Sequence, residues 1–558
     1  MKKSISLLLA AALAVSLFGC SGGGTQNTAP PAGTTVPSPV PEVSSAVDEL
    51  EIGICKEIEP RTMMSESGAF GRMNYNGFCA GTFLVKDAEG QIQPNLMSSW
   101  EIGKNGTELL ATFATDQGIT WHDGEPLTMD DIEFTVDFCK ANTAASYLAE
   151  VDHVERVSDT QLRFYFSEPK AFYTLNTMAI FQRIFPKHIW ENVDDPAKYD
   201  GEAAAIGCGP YKLVQVDEDA QTLHYEAVGD TYMGRELAVR KVTVRSYGAQ
   251  DALVMAVRNG EVDAMYDYSN PIEPTLAVTA TGVEGVDNGM SQNLGNYMLL
   301  FGFNKQPTDD LTFRKAVYRA LDYQLLATSI GGQDGEIPGA GLIPSLSIGF
   351  DASLPTTVRD LDESNSLLDE GGYLDVDGDG FREMPDGSKM DVLLSPTYNA
   401  TRQTMFLRIA EIISANLADV GIRATLDDES VRNSDFNANL RKEGAYEIFL
   451  AYSTHGVGMF KTAYMYVIDE GPGVQWGSCH EPEILEAYQD LMKAQDYDQY
   501  VSSVQALQKL NSKHVYGVGL CWDKSYFPYR TDKYEGWTDF PGWGVINCET
   551  WYDLHTVS

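Results

Sequence analysis

The sequence has little positive charge and no familiar catalytic signature. Its 558 residues hold 40 Lys and Arg against 80 Asp and Glu, a formal net charge of -40. A field of that sign repels nucleic acid and anionic headgroups, so no nucleic-acid partner is expected. The chain has no G-x-S-x-G elbow, no H-E-x-x-H, no Walker phosphate loop and no dinucleotide fingerprint. The expectation is therefore not an enzyme, and a secreted hydrolase would need an unfamiliar site. His122 beside Asp123 has no nucleophile motif near it and lies in a turn, so the pair is read as structural. Cysteine is scarce, at 8 residues, and forms no C-x-x-C. Setting Cys20 aside leaves an odd number, at Cys55, Cys79, Cys139, Cys208, Cys479, Cys521 and Cys548. A long chain does not depend on disulfides, and these are read as small core residues. Past the first segment no hydrophobic run reaches membrane length, so the body is expected to be soluble and its one membrane contact to lie at the N-terminus.

That N-terminus reads as an export signal. Lys2 and Lys3 precede an apolar run from Ile5 to Phe18, too short to span a bilayer comfortably. The run ends in Leu17-Phe18-Gly19-Cys20, which resembles the lipobox of bacterial lipoproteins. By that resemblance residues 1–19 are a signal peptide and Cys20 carries a diacylglycerol anchor. From Ser21 to about Ser45 the chain is Gly, Ser, Thr, Pro, Ala and Val with hardly a charge. Such a composition cannot bury enough apolar surface to offset its ordering entropy, so 20–47 is expected to be a disordered tether. The location that follows is extracytoplasmic, lipid-anchored to the cell membrane.

More than five hundred residues remain, too many for one core. Their turn chemistry is explicit. Asn105-Gly106 and Asp123-Gly124 are tight-turn pairs, and Thr128 with Asp131 predicts a capping box opening a helix. Leu253, Ala256 and Val257 share a helical face, Gly260 is placed to stop that helix in a left-handed cap, and Val262 with Ala264 alternates as a strand. Phe313, Ala316, Val317, Ala320 and Leu321 fall at amphipathic spacing, as do Met405, Phe406, Ile409, Ala410, Ile413, Leu417 and Val420. The second set is followed by Gly421 and the strand-like IRATL, and a helix running straight into a strand is what an α/β lobe requires.

Several segments, in order, resemble the extracellular solute-binding proteins of family 5, the peptide, dipeptide and nickel binders. They are SSWE and WHDGEPLTMDDI, then GCGPYKL at Gly207–Leu213, VRNGEVDAM at Val257–Met265, FNKQPTDDLTFRKAVYRALDY, the Asp-rich DVDGDGFREMPDG and the closing YFPYRTDKYEGW. The resemblance covers nearly all of the chain after the tether. It implies an α/β, two-lobed periplasmic-binding-protein-like fold with a hinge. Lobe I is placed at 48–296 with a subdomain inserted at 85–204, lobe II at 297–524, and 525–558 returns to lobe I. It also implies a monomeric receptor that closes on a small-molecule or peptide ligand and serves the permease and ATPase of an ABC importer. A nickel-chelate or other non-peptide solute is the alternative ligand. A surface receptor for peptide signals, uncoupled from import, is the alternative role.

The segments expected at the cleft supply Tyr75 and Asn76, Tyr266 and Tyr268, then Tyr452, Ser453, Thr454 and His455, with Trp476. Family members that bind oligopeptides carry an acid after the strand corresponding to YEIFLAYS; here STHGVGMF has none. A peptide ammonium then needs another counter-charge, with Asp267 as candidate. His455 is the residue a nickel chelate would use. No cofactor is required by this reading. Asp375, Asp377, Asp379 and Asp386, with Gly380, stand at EF-hand-like spacing. A structural calcium ion is one reading of them, and a solvated Asp-Gly hairpin is the other.

Overall fold

The computed structural model describes residues 46–142, 148–266, 272, 274–280, 282–399, 402–454, 464, 467–468, 478–540 and 543–557. The strands that organise it are, in chain order, β1 (Val47–Ile54), β2 (Met97–Gly103), β3 (Glu108–Phe113), β4 (His153–Arg156), β5 (Gln161–Tyr165), β6 (Tyr211–Asp217) and β7 (Thr222–Ala227). They continue with β8 (Val239–Ser246), β9 (Ala264–Met265), β10 (Val286–Phe301), β11 (Asp391–Pro396), β12 (Arg423–Leu426), β13 (Ile448–Thr454) and β14 (Gly517–Arg530). Ten of them make one mixed sheet in the order β12-β11-β13-β10-β14-β9-β1-β8-β7-β6, while β2-β3-β5-β4 form a separate antiparallel sheet.

Local chemistry sets the elements around this sheet. The helix Met129–Ala141 opens on the capping box of Thr128 and Asp131. The same carboxylate accepts from Lys187 N at 2.9 Å, tying that helix to the next segment. The helix Gln250–Asn259 stops at Gly260, whose φ of 75° is the left-handed cap that glycine adopts without a Cβ penalty. The strand expected from Val262 is shorter than its alternation suggests, and β9 holds only Ala264 and Met265. Asp263 explains this: its carboxylate takes Glu51 N at 2.9 Å and Lys533 Nζ at 2.7 Å, so a side chain serves there as the acceptor that a ladder would use. The helix Gln403–Ala418 buries Phe406, Ile409, Ala410, Ile413 and Leu417, and after Gly421 the chain enters β12.

The buried residues fall into distinct cores. One gathers side chains between Val47 and Tyr266 and takes in Val545, Ile546, Trp551 and Leu554 near the C-terminus. Two others draw on residues from Tyr297 to Cys521, with Phe172 joining one of them and meeting Tyr497 edge to face at 5.0 Å. β10 and β14 run antiparallel along their length, from Val286↔Arg530 to Leu300↔Gly517. Their register breaks between Ser291 and Gly295, where Gln292, Asn293 and Leu294 lie opposite Lys524 alone. Such a bulge bends a strand pair and disrupts its ladder locally. Among the described residues, Cys79, Cys139, Cys208, Cys479 and Cys521 are buried, and no helix is long and apolar enough to cross a membrane.

A buried cation fixes the segment that leads to Tyr75. Arg183, 4% exposed, donates to the carbonyls of Met63 at 2.6 Å, Ser65 at 2.8 Å and Gly71 at 3.0 Å. Removing it takes a charged donor from each of those carbonyls. Arg183→Met is expected to lower stability by about 2–4 kcal/mol, read from denaturant unfolding.

Candidate functional site

The residues proposed for ligand contact gather in two groups. The first is built around Arg72. Its Nη1 donates to the Tyr75 hydroxyl at 3.0 Å, and its carbonyl accepts from the Tyr266 hydroxyl at 3.1 Å. Tyr75 in turn donates to Glu66 Oε2 at 3.2 Å and meets Trp543 edge to face at 6.4 Å. Burial and the Glu66 carboxylate push the Tyr75 phenol above its usual range. Tyr266 is fully buried and hydrogen-bonds through its backbone N to Gly53 O at 2.9 Å, so it supports this group from the core. Asn76 ends the short 3-10 turn that holds Tyr75; its side chain lies outside the described residues.

Beside Tyr75, a cavity of about 20 Å³ is lined by Lys86, Phe540, Trp543 and Cys548. Lys86 is 9% exposed and donates to Asn176 Oδ1 at 3.3 Å. Burial pushes its ammonium down to about 7, with Asp87 offsetting part of the effect.

The second group lies on adjacent strands of the ten-stranded sheet. Tyr297 of β10 pairs with Tyr452 of β13, their ring centroids 4.6 Å apart. Arg402 stands at the N-cap of the helix Gln403–Ala418, where the helix dipole opposes a cation. Its guanidinium lies 3.7 Å from the centre of the Tyr452 ring, and its Nη1 donates to the Tyr297 hydroxyl at 2.7 Å. The Tyr452 hydroxyl donates to Asp523 Oδ1 of β14 at 3.5 Å. Gly295 makes this approach feasible, since a Cβ there would come within 1.5 Å of Asp523 Oδ1 and 2.7 Å of the Tyr452 hydroxyl. The result is a buried cation stacked on an aromatic face whose hydroxyl reaches a buried acid.

One residue along, the strands present a neutral polar row. Asn296 of β10 pairs with Ser453 of β13 on one side and Trp522 of β14 on the other. Asn296 Nδ2 donates to Leu342 O at 2.8 Å. Asn296 Oδ1, Ser453 Oγ and Trp522 Nε1 are buried and have no partner among the described residues. Buried polar atoms are costly to leave unmet, and these offer an acceptor, a hydroxyl and a donor without formal charge.

The structure thus brings Tyr75 and Tyr266 together through Arg72, whereas Tyr452 and Ser453, consecutive on β13, project to opposite faces of the sheet. Thr454 closes β13 opposite Gly295, its side chain outside the described residues. Cys20, Asp267, Tyr268, His455 and Trp476 also lie outside them. Sequence reading missed Arg402 and Asp523. Asp523 carries a faint signal, an acid directly after the hydrophobic run GVGLCW, whereas nothing local marks Arg402.

In the Asp-rich loop, carboxylate oxygens of Asp375, Asp377 and Asp379 lie within 4.8 Å of one another. Asp386 is not in this cluster; it accepts from Ser388 N at 2.9 Å and Ser388 Oγ at 2.6 Å. The clustered carboxylates accept from the loop's own backbone at Gly378, Asp379, Gly380 and Phe381, and Asp379 pairs with Arg423 at 2.8 Å. Three exposed carboxylates suit a hard cation such as calcium. A bound calcium ion requires that chelation lower the wild-type Tm and that Asp377→Ala lose that response; equal Tm values in both proteins mark a hairpin held by its own amides.

Lys86 gives this region a pH signature. Its folded-state value lies below that of the unfolded chain, so the unfolded state binds more protons between about pH 7 and pH 10. Stability from this group therefore rises with pH across that window. Lys86→Met is expected to flatten the rise, and to be the more stable protein at pH 7, in paired unfolding curves from pH 6 to pH 10.

Comparison with known proteins places these features in a common frame. A model of the bacterial extracellular solute-binding proteins, family 5 Middle, matches residues 91–471. Protein XP55 of Streptomyces lividans is 25% identical over 372 residues, 66% of this chain and 65% of its own length. The match thus spans just under two thirds of that relative. The oligopeptide-binding protein AppA of Bacillus subtilis, solved in complex with a nonapeptide, superposes with a TM-score of 0.69 at 18% identity, covering 92% of this chain and 100% of that one. A periplasmic oligopeptide-binding protein of Thermotoga maritima, solved with mannohexaose bound, gives a TM-score of 0.67 at 20% identity over 91% and 98%. These likenesses show the two-lobed α/β fold of periplasmic binding proteins.

Proposed function

The chain belongs to the bacterial extracellular solute-binding proteins, family 5, and on that footing we propose that it is a lipid-anchored receptor. In this reading it closes on a short peptide or peptide-like solute and delivers it to the permease and ATPase of an ABC importer. The observation that carries the ligand class is the Arg402, Tyr452 and Asp523 group. It sets opposite charges on either side of one tyrosine, as the zwitterionic backbone of a short peptide requires. Asp523 also provides an acid beside the cleft residues, which STHGVGMF lacks. The break between Ser291 and Gly295, in the strand pair that links the two sets of cores, supports a hinge there.

The neutral row of Ser453, Asn296 and Trp522 favours a second reading, an uncharged oligosaccharide held by hydroxyl and amide contacts. The mannohexaose complex of the Thermotoga relative is consistent with it. A nickel chelate would rest on His455. Uncoupled peptide signalling would use the same cleft without a permease. Cys20 is the proposed anchor: Cys20→Ala is expected to release the protein from membranes.

Small-angle scattering tests the receptor reading. A peptide pool or mannohexaose is expected to compact the protein, and native mass spectrometry is expected to identify the retained component. Tyr452→Ala should weaken that component's binding by about tenfold, the loss of one aromatic contact. Absence of compaction with both ligand classes overturns the proposal, and hydrolysis of any peptide in the pool overturns a pure receptor.

A further inference from the structure

A second cavity, of about 450 Å³, lies at the other side of the sheet from the Tyr452 group. Its walls come from the turn 117–124, from the start of β6 and from the segment 228–234. β6 is the outermost strand, separated from β14 by β9, β1, β8 and β7. The cavity therefore belongs to neither of the groups above, and its size falls within the roughly 300–1,000 Å³ typical of small-molecule sites.

Its chemistry departs from the rest of the chain. Acidic residues outnumber basic ones by 80 to 40 overall, yet none of the lining residues is an Asp or a Glu. Lys212 is the lining residue with a formal charge, and it forms no ion pair among the described residues. Glu226 stands opposite it in the β6–β7 ladder, but its carboxylate lies 3.9 Å from Lys241. His122 also lines the cavity; its Nε2 meets Gly209 O at 3.0 Å, and its Nδ1 lies 3.8 Å from Cys79 Sγ. Burial pushes its imidazole down to about 4, and Lys212 adds to that, so the ring is neutral at pH 7. Ile119, Val228 and Met233 supply apolar wall, and Tyr232 is anchored by its hydroxyl to Cys208 O at 2.9 Å. Trp121, 1% exposed, contributes an indole Nε1 with no acceptor among the described residues.

We propose that this cavity is a second ligand site, specific for a small organic carboxylate whose anionic head pairs with Lys212 and whose apolar body rests on Ile119, Val228 and Met233. One ammonium in an acid-free pocket selects a single negative charge, because a cation would meet Lys212 with no counter-charge and a neutral molecule would leave the ammonium unpaired. The surrounding field of the acidic chain repels highly charged anions, which favours a monocarboxylate over a polyphosphate. The apolar wall then distinguishes a carboxylate with a hydrocarbon body from inorganic anions.

Ligand-observed fluorine NMR on the full chain tests this with 4-fluorobenzoate and its uncharged counterpart 4-fluorobenzamide. Saturable binding of the benzoate is expected, with the benzamide markedly weaker. Lys212→Met should weaken the benzoate by about tenfold, the loss of one charge-assisted hydrogen bond, and leave the benzamide unchanged. Thr231→Trp, at an exposed lining position, should block the cavity and abolish benzoate binding at an unaltered Tm. Wild-type affinity in either variant, benzamide binding as tight as benzoate, or no binding of either probe overturns the proposal.

Discussion

The pairing of β10 with β14 is the constraint on which the rest depends. Backbone groups in a buried strand must find partners, and these two strands satisfy each other from Val286↔Arg530 to Leu300↔Gly517. Along that run the sheet passes from strands that pack with residues 47–266 to strands that pack with residues 297–521. Of the two register shifts in that pairing, the larger lies between Ser291 and Gly295, opposite Lys524, where the ladder is most interrupted; the other falls between Tyr297 and Met298. Bending is least costly where the fewest hydrogen bonds must be kept. Tyr526 donates to Asp334 Oδ2 at 2.5 Å and Lys524 lies 3.5 Å from Asp334 Oδ1, so the segment after the helix Tyr323–Gly331 is tied to the same stretch.

Charge burial shapes the candidate site more than apolar packing does. Arg402 would be unfavourable at a helix N-terminus on its own, and it is held there by two phenols and an acid contributed by three strands. Truncating any member leaves the others buried and under-satisfied. Arg183 plays a comparable part near Tyr75, where a single guanidinium gathers three carbonyls of an irregular segment. In both places a buried guanidinium draws together groups from separate segments of the chain.

What the sequence made legible was local. The Thr128 and Asp131 cap, the left-handed Gly260 and the buried faces of the helices Leu311–Ala320 and Gln403–Ala418 each depend on residues a few positions apart. Their signals are strong because caps and periodicity act within one or two turns. The strand at Val262 was overestimated because alternation cannot reveal that Asp263 serves as a hydrogen-bond acceptor for Glu51 and Lys533, far away in the chain. Arg402 was illegible, and Asp523 only faintly marked, for the same reason, since each acquires its role only when β10, β13 and β14 are aligned. Tyr266 is among the residues expected at the cleft, and its depth in the core depends on Gly53 and Arg72, which no nearby residue announces.

The two outer borders of the ten-stranded sheet, β6 and β12, have a further consequence. An unpaired border is a template on which a neighbouring molecule can add its own strand. β6 breaks register between Leu213 and Gln215, and β12 is only four residues long with Arg423 held between Asp379 and Asp391. A kink at one border and a brief, charged strand at the other make a poor template for addition. Copies of the protein brought close together are thus poorly disposed to join edge to edge into a growing fibre.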